Sequence, residues 1–249
     1  MGLIKQLNIM ASYKILPLRD EGGIEYEQLR NRVDNLSALA SSADLRSGTL
    51  PRRFTTFRGG MCYVEYAQEE KTEITTLEGD DEEVKVADMY PIIFLGNGYV
   101  AYDANLPNKE TENEVVQTVS DLLDSDIHYE PVTFKEDDLK EVVDQASKVQ
   151  EADFKPASQK PKSVSARYLP GLQETEFWRQ WEKEPLEKVK VDLPDEATYN
   201  VSFYEKGKVT VHGQKIDEEV QVNILRYITD EVVSNLDIHS FQKKLGGDY

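Results

Sequence analysis

Three stretches carry residue types that could do chemistry. The first is GDDEEVKVAD, residues 79–88, where Glu83-Val84-Lys85 matches the acid-x-lysine element of some metal-dependent nucleases. Asp80 and Asp81 beside it would supply hard oxygen ligands for a divalent cation. The same ten residues also read as a plain solvated acidic loop. The second stretch is LPRRFTTFRGG, in which Arg52, Arg53 and Arg58 alternate with Phe54 and Phe57. Aromatic rings can stack on bases while nearby cations meet phosphates. The competing reading is a solvated strand edge. The third is FKPASQKPKSVSARYLPG, with Lys155, Lys160, Lys162 and Arg167 and no acidic residue between 154 and 173. Its proline, serine and lysine content also suits an exposed connection at about 155–165.

Other chemistries lack their signatures. No glycine-rich loop ends in Gly-Lys-Ser/Thr, and no serine sits in a Gly-x-Ser-x-Gly elbow. The lone cysteine, Cys62, excludes an internal disulfide and a Cys-x-x-Cys metal pair, and it reads as a buried thiol. His128, His212 and His239 are scattered. No catalytic residue, metal site or cofactor is assigned on these grounds.

The chain of 249 residues has 39% hydrophobic and 31% charged residues and a formal net charge of −18. This is a globular composition with room for one large or two small domains. The charge repels other polyanions at long range, so nucleic-acid contact must come from local basic clusters. No apolar run approaches the roughly 20 residues of a membrane span, and no signal peptide is recognised. The expected location is cytoplasmic.

The elements that must position these residues repeat. Adding 109 to the residue number carries Tyr90 onto Tyr199, Phe94 onto Phe203, Gly98 onto Gly207 and Val100 onto Val209. Each segment reads as strand, glycine turn, strand. A helix follows each. Asp217 caps the later one, with Val220, Ile224, Tyr227, Ile228 and Val232 on its apolar face. Thr111 and Glu114 have capping-box spacing in the earlier one, with Val115, Val119, Leu122 and Leu123 inward. Upstream, IKQLNIMASYKILPL and HYEPVTF read as opening strands. The helices EYEQLRNRVDNLSALA and TFKEDDLKEVVDQASKV follow, the latter capped by Thr133. RRFTTFRG, MCYVEYA and TEITTLE in the first half, and SVSARYL, EFWRQW and EKVKVDL in the second, read as strands. The expectation is an α+β fold of two similar halves, 1–126 and 127–249, each strand–helix–antiparallel strands–hairpin–helix.

That order, with FYEKGKVTVHGQKIDEE and, more loosely, LPRRFTTF, resembles the TATA-box-binding-protein fold. The resemblance implies two repeats forming an antiparallel saddle with helices on one side. It implies a binding role in transcription or nucleic-acid processing. The expected function is thus a noncatalytic TBP-like protein engaging nucleic acid or a protein partner. An acidic protein–protein adaptor or assembly subunit is the first alternative, and a metal-dependent nuclease the second.

Alternation sorts the hairpin residues by face. Val201, Phe203, Val209 and Val211 suit a core. Ser202, Tyr204, Lys208, Thr210 and His212 suit the opposite face. In the first hairpin Ile92, Phe94, Val100 and Tyr102 take the core positions. Ile93, Leu95, Tyr99 and Ala101 form an apolar opposite face. Either the chain's own loops and the acidic segment 78–90 cover that face, or it meets a partner or a second copy. The residues expected to contact nucleic acid are Arg52, Arg53, Phe57, Arg58, Lys160, Lys162 and Arg167. Those expected on a partner surface are Ile93, Leu95, Tyr99, Tyr204 and Lys208.

Overall fold

The computed structural model describes residues 11–18, 31, 50–75, 81–106, 109–123, 131–146, 148–156, 163–167, 172–192, 199–213 and 217–234. Helices and antiparallel strands make an α+β arrangement. The chain divides into two compact units. The earlier comprises Leu16–Glu130, and the later comprises Pro131–Tyr249 together with Met1–Ile15.

In the earlier unit, β2 (Leu50–Phe57), β3 (Met61–Thr75), β4 (Asp81–Phe94) and β5 (Tyr99–Asp103) form a sheet in chain order. The helix α1 (Lys109–Leu123) follows. Its Val115, Val119, Leu122 and Leu123 are fully buried against Ile92, Phe94, Val100 and Tyr102, the core set expected from alternation. The helix begins two residues before the expected Thr111 cap. Glu112 in its first turn accepts a hydrogen bond from Tyr102 Oη and lies 2.9 Å from Lys109 Nζ. Gly98, at φ 88°, closes the β4–β5 turn, where a left-handed conformation favours glycine.

Two expectations fail in this unit. The acidic run 79–88 is not a loop from Asp81 onward, because those residues are the first half of β4. They pair with β3 from Thr75↔Asp81 to Gln68↔Asp88, which merges MCYVEYA and most of TEITTLE into one strand. Val84 and Val86 are the strand-favouring residues in this run, and pairing with β3 carries the ladder through the charges around them. The apolar face of the first hairpin is not open to a partner, since Ile93, Leu95 and Ala101 have no exposure and Tyr99 is half-buried. Tyr63, in register with Ile93, is buried beside it.

In the later unit the sheet order is β1 (Ala11–Pro17), β10 (Lys208–His212), β9 (Asn200–Tyr204), β8 (Leu186–Asp192), β6 (Lys148–Phe154) and β7 (Val164–Arg167). The unit boundary falls inside β1, after Ile15. Val201, Phe203, Val209 and Val211 have no exposure, as alternation requires. Phe134 meets the Phe203 ring edge-on at 5.4 Å, and α2 (Glu136–Gln145) buries Leu139, Val142 and Val143. The helix starts at a Lys135 cap, not at Thr133, because Asp138 Oδ2 accepts the Lys135 N–H at 2.6 Å. Val132 and Phe134 donate backbone hydrogen bonds to the carbonyls of Ile15 and Glu205 without forming the regular strand expected there. Pro131 has no N–H to extend a ladder.

EFWRQW is also not a strand. Thr175 accepts the Trp178 N–H at 3.1 Å and caps a short helix, α3 (Glu176–Trp181). In this helix Phe177 and Trp181, four residues apart, lie side by side at 6.3 Å, and Trp178 packs its ring against Phe154 at 5.5 Å. The last helix, α4 (Glu218–Tyr227), is capped by Asp217, which accepts from Val220 N–H at 2.9 Å. It runs into a π turn at Ile228–Val233. The stripe of greatest burial is Val222, Leu225, Ile228 and Val233, so Val220 and Tyr227 from the expected face are only half-buried. No helix among the described residues is long and apolar enough to cross a membrane.

Candidate functional site

The later sheet has two unlike faces. One carries the valines and phenylalanines that helices cover. The other is written by the alternate positions of the same strands. Residues in register point the same way, so the ladder partners define rows across the sheet.

One row runs Ser12, Thr210, Ser202, Lys190, Glu151 and Arg167. The next holds Lys14 beside Lys208, then Tyr204 beside Lys188, then Asp153. A third holds His212, Asn200 and Asp192. The first row is stitched by short polar contacts, with Ser12 Oγ and Thr210 Oγ1 2.9 Å apart. Ser202 Oγ and His212 Nε2 are 2.8 Å apart. In the third row Asn200 Nδ2 donates to Asp192 Oδ1 at 2.6 Å.

The charges are unevenly neutralised. Lys188 Nζ lies 3.0 Å from Glu151 and 3.9 Å from Asp153. Arg167 Nε lies 3.0 Å from the same Glu151 oxygen, with the arginine side chain 62% exposed. Lys190 and Lys208 have no carboxylate within ion-pair distance among the described residues. Lys188 and Lys208 each place Nζ 5.6 Å from the centroid of the Tyr204 ring, close enough for attraction to its π-system. A tyrosine thus holds two ammonium groups while adding no negative charge. His212 registers the resulting field. Burial, then Lys190 and Lys188, push its pKa down to about 4, against a smaller opposing pull from Glu151. The imidazole is neutral at pH 7.

Of the residues expected from sequence, Tyr204 and Lys208 lie at the centre of this face and Arg167 on its margin. Phe57 is half-buried and Arg58 exposed at the end of β2 and in the turn after it. Arg52 and Arg53 are placed on β2 by register alone, with a bulge between Pro51 and Arg53. Lys160 and Lys162 lie outside the described residues. On either side of them, Lys155 is exposed and donates its backbone N–H to Pro185, and β7 begins at Val164. Lys14, Lys188 and Lys190 were missed by the sequence reading. Their signal was present in EKVKVDL, whose lysines alternate with Val189 and Val191. Among the described residues no group of three or more His, Cys, Asp and Glu side chains is placed to hold a metal. Ser202 has no exposure, so its contact with His212 joins two strands and does not present a nucleophile. No protein-family model matches the chain, and no curated protein matches it.

Proposed function

We propose that the chain is a noncatalytic, TBP-like binding protein that engages nucleic acid through the polar sheet face of its later unit. The observation that supports this is Lys188 and Lys208 over the Tyr204 ring with Lys190 two residues along β8, Lys190 and Lys208 having no carboxylate within ion-pair distance among the described residues, on a chain whose net charge is −18. At physiological salt the Debye length is about 8 Å, so a cluster of this size acts on a phosphate while distant carboxylates are screened. The test is binding of fluorescently labelled nucleic acid across a salt series. Lys190→Gln with Lys208→Gln should weaken binding and reduce the slope of log K against log salt by about 1.4 to 1.8. An unchanged slope in the folded double variant would refute the site.

The acidic adaptor is a second reading, favoured by one feature of the earlier unit. Beyond the ladders with β2 and β5, β3 and β4 continue as a two-stranded ribbon over Gln68–Thr75 and Asp81–Asp88. Glu73 stands opposite Glu83 there. The adaptor reading stands if no nucleic acid binds at low salt.

A further inference from the structure

The far end of the later sheet carries a second surface, independent of the nucleic-acid reading. β7 pairs with β6 from Glu151↔Arg167 to Phe154↔Val164 and is the last strand on that side among the described residues. Among those residues, Val164–Arg167 make no hydrogen bond or ion pair beyond that ladder and the contact of Arg167 with Glu151. Alternate residues of a strand turn their N–H and C=O groups to opposite sides, so the outer edge of β7 keeps main-chain donors and acceptors unpaired. Ser165 and Arg167 are exposed on one face. Val164 and Ala166 lie on the other, in register with Phe154 and Ala152. That is the face on which α3 lies, since Phe177 and Trp178 meet the Phe154 ring at 6.3 and 5.5 Å. The helix is not covered in return. Phe177, Trp178 and Trp181 are each only half-buried, and neither indole N–H has a hydrogen-bond partner among the described residues.

We infer that the outer edge of β7 docks an extended segment of a partner protein, which adds to the sheet as a further strand. Two independent features set the chemistry of that segment. The unpaired main chain of β7 calls for an extended backbone. The half-exposed rings of α3 call for aliphatic side chains at every second position, because a strand outside β7 turns alternate residues to the α3 face beside Val164. Charge sets the rest. On and around α3, Glu174, Glu176, Glu182 and Glu184 outnumber Arg179 and Lys183, while Arg167 is already paired with Glu151. The segment is therefore basic, and a second copy of this chain, at −18, is the disfavoured occupant. β7 has only four residues, so the ladder it offers is short and the aromatic contact must share in holding the segment.

The chain's two tryptophans, Trp178 and Trp181, both lie on α3, so intrinsic fluorescence reads this site without a label. The probe is a synthetic peptide of alternating valine and threonine with a lysine at each end, titrated into the full chain. The expected result is a saturable blue shift of tryptophan emission, with slower amide exchange across residues 163–167 and none in β10. The same peptide N-methylated at its central amides should bind about tenfold more weakly, and one ending in glutamates about fivefold more weakly. Trp181→Ala, with an unchanged circular-dichroism spectrum, should weaken the lysine peptide about fivefold, with Trp178 left as the reporter. Equal binding of the N-methylated peptide, or protection that spares 163–167, overturns strand addition. Equal binding of the glutamate peptide overturns the basic partner, and undiminished binding by Trp181→Ala overturns the α3 contact. A dimer in sedimentation whose formation slows exchange at 163–167 assigns the edge to a second copy and overturns the partner. Absence of any emission shift or exchange change at millimolar peptide defeats the inference and leaves the nucleic-acid reading in place.

Discussion

Lys190→Gln should raise the pKa of His212, and the size of the rise can be worked out from the sheet. His212 is on β10 and Lys190 on β8, with β9 between them. Two strand spacings give about 9.6 Å. A further two residues of offset along β8 give about 11 to 12 Å between backbone positions. A unit charge at that distance contributes about 1.5 kcal/mol at an effective dielectric of 20 and about 0.4 kcal/mol at 80. One pKa unit is about 1.36 kcal/mol, so removing the charge should lift the imidazole by about 0.3 to 1 unit. His212 would then titrate somewhat above its present value of about 4 and still below 6.5, because burial, the larger cause, remains. The assay is an NMR titration of the imidazole C–H resonances between pH 3 and 8, assigned with His212→Asn. Glu151→Gln supplies the opposite sign, since Glu151 pulls the pKa up. A folded Lys190→Gln protein whose His212 moves by less than 0.1 unit, or moves downward, would refute the claim that lysines set the field of this face.

Protein stability should fall as pH drops from about 6.5 towards 4. The unfolded chain protonates His212 in that window while the folded state keeps it neutral, so the stabilisation is full above pH 6.5. For a half-buried ring the loss should be about 1 to 2 kcal/mol, read by urea melts, and absent in His212→Asn. Gly207→Ala should destabilise by at least about 2 kcal/mol. The residue sits at φ 81°, and an added Cβ would lie 1.9 Å from the Val132 carbonyl oxygen. Leu225→Ala, at a fully buried position of α4, should cost about 2 to 5 kcal/mol in the same melts. Asp217→Ala should cost about 1 kcal/mol through loss of the cap to Val220 N–H.

Local signals were read correctly where one element's own pattern decides the outcome. Alternation identified both buried hairpin faces, because burial of one face fixes the register of the whole strand. Asp217 was legible because a side-chain cap is decided within four residues. The errors arose where a neighbour decides. EFWRQW is too short for periodicity to separate strand from helix, and the Thr175 cap settled it. The charged run after Asp80 is a strand because it has β3 to pair with, a non-local fact. The face bearing Ile93 and Leu95 was legible as apolar, while its burial depended on the rest of the chain. Alternation put Tyr204 and Lys208 on one face, and the register does the same. Lys14 joins them through a pairing with β10, across nearly two hundred residues of sequence that no local pattern spans.

That pairing sets an order for folding during synthesis. Ala11–Lys14 pair with Lys208–Val211 of β10. β1 therefore waits for its β10 ladder until Lys208–Val211, about two hundred residues later, have been made. At about 5 to 20 residues per second this is a wait of roughly 10 to 40 s. The earlier unit is one continuous run from Leu16 to Glu130, and its segments are all available long before then. The tail of β1, Leu16, belongs to the core of that unit and is fully buried there. The first strand is thus anchored at its carboxyl end by a unit that can form early. The edge of Ala11–Lys14 that β10 covers waits longest, and a chaperone or a second nascent chain has that interval in which to reach it before β10 does.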